Sequence, residues 1–79
     1  MDQMIPYSNL SGRSGIVAYS IGPGYIHVEF RKGSFRHYEY TDAKLGPCKI
    51  QQMIRLAQSG MGLNSFIMKY ARTGYSRRW

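Results

Sequence analysis

The chain has 79 residues, of which 43% are hydrophobic and 19% charged. That is enough apolar content to fold and too short a chain for more than one domain. Eleven Lys and Arg against four Asp and Glu give a net charge of +7, which points to an anionic partner: nucleic acid, an acidic protein face or a membrane surface.

A single cysteine, Cys48, excludes an internal disulfide framework and a multi-cysteine zinc site. No run of about 18 apolar residues occurs, so no membrane-spanning helix is expected. The start of the chain, MDQMIPYSNL, lacks a basic segment followed by an apolar one and does not resemble a secretory signal. The expected location is therefore the cytoplasm.

In chain order, residues 1–13 are expected as a flexible lead-in, because Pro6 and Asn9 discourage regular structure. A single domain is expected over 14–79. The first strand is expected over Gly15 to Ile21, with Val17, Tyr19 and Ile21 on one face. Gly22-Pro23-Gly24 is a turn, since proline presets φ and glycine permits positive φ. A second strand over Tyr25 to Phe30 alternates Ile26, Val28 and Phe30 with Tyr25, His27 and Glu29. A loop at Arg31-Lys32-Gly33-Ser34 leads to a third strand over Phe35 to Thr41. There Arg36, Tyr38 and Tyr40 share one face.

Gly46-Pro47 opens a helix, with proline at its first position. Ile50, Met53, Ile54 and Ala57 make its apolar stripe, and Gly60 stops it. A second helix, from Leu63 or Asn64 to Thr73, has the stripe Leu63, Phe66, Ile67 and Tyr70. The expected fold is α+β: a three-stranded antiparallel meander followed by two short helices packed on one face.

Several of these residues resemble a known family. The run from Val28 to Tyr40, VEFRKGSFRHYEY, contains Val28-Glu29-Phe30, the turn Gly33-Ser34 and Tyr38-Glu39-Tyr40. The later run Gly62-Leu63-Asn64-Ser65-Phe66-Ile67 is followed by Tyr75 and basic residues. This pattern resembles the KTSC domain family, a C-terminal domain of some lysyl-tRNA synthetases. It also occurs as short stand-alone bacterial and phage proteins. The similarity spans roughly residues 14–78. The chain departs from the family at Arg36, where an aromatic residue is common. The resemblance implies an α+β fold and a role in RNA binding.

The charge distribution supports the same direction. Residues 1–40 carry four Lys and Arg against three carboxylates, and residues 41–79 carry seven against one. Lysine and arginine neutralise phosphates, and aromatic rings stack on unpaired bases. The expected binding residues are Arg55, Lys69, Arg72, Arg77 and Arg78, with Tyr75 and Trp79 as exposed stacking rings. Tyr38 and Tyr40 are expected in the core, and Tyr25 and His27 are better placed for exposure.

The remaining motifs carry less chemistry. Two histidines and one cysteine, dispersed in sequence, nominate no metal site. Cys48 lies near a helix start but has no evident base nearby, so a buried structural role is expected for it. The four carboxylates are too separated to nominate an acid–base pair. Ser59 to Asn64 reads as a tight corner between helices with Asn64 as the cap, or as a phosphate cradle; it lacks the Walker ending.

The expected function is a non-enzymatic nucleic-acid-binding module, with RNA favoured and no cofactor. The alternative is an anti-CRISPR-like inhibitor of phage origin. Such a protein would bind an acidic or nucleic-acid-binding protein surface and occlude its nucleic-acid site.

Overall fold

The computed structural model describes residues 4–12 and 14–79. Their five strands form one antiparallel sheet. These are β1 (Ile5–Pro6), β2 (Ile16–Gly22), β3 (Tyr25–Phe30), β4 (His37–Thr41) and β5 (Arg77–Arg78), side by side in that order. The α+β class is as expected, but the sheet has five strands rather than three. Both extra strands are only two residues long, too short for an alternation pattern to show in sequence.

β1 lies within the segment expected as a flexible lead-in. Residues 1–3 and Arg13 of that segment lie outside the described residues. The rest is tied to the domain at several points. Ile5 pairs with Tyr19 and Pro6 with Ala18. The Tyr7 backbone N–H donates to the Val17 carbonyl at 3.0 Å, and the Leu10 N–H to the Gly60 carbonyl at 2.8 Å. The Tyr7 ring is buried in the core.

β2 and β3 meet through the two-residue turn Pro23-Gly24, where Gly24 has φ 72°. This is the proline-then-glycine order that such a turn favours. Cross-strand rows on the core side run Tyr19–Val28–Tyr38 and Ile21–Ile26–Tyr40. Ile26 and Val28 are fully buried, each contributing about 1.5–3 kcal/mol by leaving water. The expected face of β2 is corrected at its start. A register shift between Ile16 and Ala18 is the signature of a β-bulge, which inserts one residue. Ile16, not Val17, therefore joins Tyr19 in the core.

After β4 a single helical turn, α1 (Asp42–Leu45), precedes α2 (Pro47–Ser59). Proline starts α2, and Ile50, Met53 and Ala57 are buried against the sheet with Ile54 packed beside them. Gly60 ends it at φ 78°. A Cβ there would lie 2.5 Å from the Ser8 Cβ, so the position needs glycine for its conformation and for the close approach of the chain start. Cys48, expected to be buried, is exposed on the first turn of α2.

The last helical segment is α3 (Leu63–Phe66), which continues as a π-helical turn over Ile67–Ala71. Its N-cap is Gly62 with no side-chain cap bond, so Asn64 is not the expected cap. Its buried residues are Leu63, Ile67 and Ala71, whereas Tyr70 is 51% exposed. The sequence stripe assumed 3.6 residues per turn. A π turn holds more, so Ala71 replaces Tyr70 at the core.

Candidate nucleic-acid interface

β5 returns the chain from the helices to the sheet edge. Arg78 pairs with Tyr38 and Arg77 with Glu39. Neighbouring residues of a strand point to opposite faces. Arg78 thus shares the helix side with Tyr38, and Arg77 shares the open side with Glu39.

On the helix side, a groove of about 630 Å³ opens between the Lys32–Phe35 loop, β4, the π turn and β5. Its floor includes Tyr40 and Ile67, each 1% exposed. Phe30, Phe35, Tyr38 and Tyr75 supply rings, and Lys32, Arg72 and Arg78 supply charge. No Asp or Glu lines it among the described residues. The Tyr38 ring sits edge-on to Phe30 at 5.3 Å and to Tyr75 at 5.4 Å. The Arg78 guanidinium lies 4.2 Å from the Phe35 ring centre and 4.9 Å from that of Tyr75, within cation–π range. The chemistry on offer is a set of cationic donors beside an aromatic wall, suited to an anion that carries a flat group.

Burial pushes the Tyr40 phenol well above the ordinary tyrosine range, and Tyr38 and Tyr75 add to the effect. The unfolded chain releases this proton near pH ~10, while the folded chain still holds it. The folded state then binds more protons, so stability present below pH ~10 is lost as pH rises beyond it. Denaturant midpoints measured from neutral to strongly alkaline pH should fall above that point. They should fall less for Tyr40→Phe.

The open side of β3, β4 and β5 carries a second cluster. A hydrogen bond of 2.9 Å joins His27 Nε2 and His37 Nδ1. Trp79 stacks on His37 at 5.5 Å with planes 10° apart, and lies 5.0 Å from His27. Arg77 lies 4.8 Å from the Trp79 ring centre and donates through Nε to Glu39 Oε1 at 3.1 Å. Arg77 is well exposed, and exposed ion pairs of this kind contribute about 0–1 kcal/mol.

The structure divides the residues expected from sequence. Arg72, Tyr75 and Arg78 meet at the groove. Arg77 and Trp79 lie on the opposite face of the sheet. Lys69 and Arg55 line neither: Lys69 lies 5.6 Å from the Tyr70 ring centre, and Arg55 is exposed on α2. One expectation about rings is corrected and one holds. Tyr75 is half-buried and held between Tyr38 and Arg78, so it is not a free platform. Trp79 is exposed as expected, at 46%, and it stacks on His37.

Lys32, Phe30, Phe35 and Tyr38 were missed as site residues. Lys32 and Phe35 flank the Gly33-Ser34 turn that the sequence did mark. Nothing in sequence announces that β5 will sit beside it.

Among the described residues, no group of three or more His, Cys, Asp or Glu is placed to hold a metal. None of their helices is long and apolar enough to cross a membrane. No protein-family model matches the chain, and no curated protein or solved structure matches it.

Proposed function

We propose that this chain is a KTSC-like, non-enzymatic module that binds single-stranded nucleic acid, RNA in preference to DNA. The observation that carries the reading is the groove, with its three cations, its aromatic wall and its lack of acidic lining. Cations supply a sequence-independent attraction to phosphates, and rings accept unpaired bases. A duplex keeps its bases stacked inside and offers a narrow groove only its backbone. Single strands are therefore preferred. The KTSC resemblance supports RNA as the class of strand.

The test is a titration of labelled single-stranded RNA, single-stranded DNA and duplex at low and moderate salt. The expected order of affinity is RNA, then DNA, then duplex, each falling as salt rises. No binding of any strand at low salt would reject the reading. Pull-down from a bacterial lysate with and without nuclease adds a second arm. Recovery of one protein partner that survives nuclease would favour the inhibitor reading instead.

A further inference from the structure

We infer that the groove is a single-nucleotide pocket, taking one base together with its phosphate; this rests on the nucleic-acid reading above. Three features lead there. The first is size. About 630 Å³ lies within the range of small-ligand sites, roughly 300–1,000 Å³. The groove's buried lining includes Tyr40 and Ile67, each 1% exposed.

The second feature is the state of Arg78. Arg78 is exposed, and its two ring contacts, to Phe35 and Tyr75, favour one placement of the guanidinium at the groove before any ligand arrives. The planar fork of guanidinium N–H donors matches phosphate oxygens in pairs, which a lysine ammonium does not. Ordering the donor beforehand lowers the entropic cost of binding. Arg72 and Lys32 add charge from two other segments of the groove wall.

The third feature is the separation of tasks among the rings. Tyr75 and Tyr38 are engaged with each other and with their neighbours. Phe35, 40% exposed, and Met68, 50% exposed, retain open surface at the groove. These two offer a base an apolar contact while its phosphate meets Arg78. The ligand class is a nucleoside monophosphate unit, free in solution or within a strand.

Nucleoside monophosphates titrated directly into the protein, read by NMR shifts at Phe35 and Tyr75, should saturate a single site. They should also displace a labelled single-stranded oligonucleotide. The matching nucleoside and inorganic phosphate should each bind at least about tenfold more weakly, since each keeps only part of the interaction. Arg78→Lys keeps the charge and loses the fork. It should lower mononucleotide affinity about tenfold with thermal stability retained.

Oligonucleotide binding without mononucleotide binding would overturn the pocket alone. Displacement by inorganic phosphate as effective as by the mononucleotide would do the same, and equal affinity in Arg78→Lys would remove the role of the fork. Failure of both ligands would reject the nucleic-acid reading as well. Oligonucleotides with phosphorylated and unphosphorylated ends separate the sources. Tighter binding of the phosphorylated end identifies a terminal nucleotide, and equal binding an internal one.

Discussion

Replacing Arg72 and Arg78 together by glutamate is expected to weaken single-stranded RNA binding by about a hundredfold at low salt. The salt dependence should become shallower by about 1.4, because each contact to a single strand releases about 0.7 counterion. Both residues line the groove, so reversal removes two donors and places two carboxylates where none stood. The control is Arg55→Glu with Lys69→Glu. It changes net charge equally at positions that do not line the groove, and should cost less than about tenfold. Equal losses in the two double variants would assign binding to the field of the whole protein rather than to the groove. Gel-shift or anisotropy titrations across a salt series read both quantities.

Leu63→Ala is expected to have the largest effect on stability. Leu63 is fully buried where α2, α3 and the chain start converge, and its backbone N–H donates to Tyr7 Oη at 3.4 Å. Truncating a buried leucine costs about 3 kcal/mol through lost burial and the cavity left behind. A domain of this length has roughly 4–12 kcal/mol in total. The midpoint of thermal unfolding should therefore fall by about 12–24 °C. Leu63→Met conserves volume and should cost less than about 1.5 kcal/mol. Circular dichroism melts of the two variants make the comparison. If both melt alike, the corner is not packed as described.

Much of the fold was legible in sequence, for identifiable reasons. β3 shows clean alternation between Ile26, Val28 and their neighbours. α2 has a proline start, a stripe of period 3.6 and a glycine stop, and each signal acts locally. The illegible parts depend on distant residues. The bulge at Ile16 is decided by how β2 meets β3, and the π turn by how Ile67 and Ala71 reach the core. The site followed the same division. Its charge was visible as the basic second half, and Arg72, Tyr75 and Arg78 were named from it. Their union with Lys32 and Phe35 depends on β5 crossing to β4, a pairing between residues far apart in the chain.

The β4–β5 pairing also decides which side chain of β5 reaches the groove. In a strand, a slip of one position exchanges the two faces for every side chain. If β5 slipped by one residue, Arg78 would move to the histidine side, and Arg77 or Trp79 would turn toward the groove. Contacts on both faces oppose the slip: Arg78 over Phe35 and Tyr75 on the groove side, and on the far side Trp79 stacked on His37 and Arg77 bonded to Glu39. The histidine–tryptophan cluster thus favours, from the opposite face of the sheet, the strand register that keeps Arg78 on the groove side.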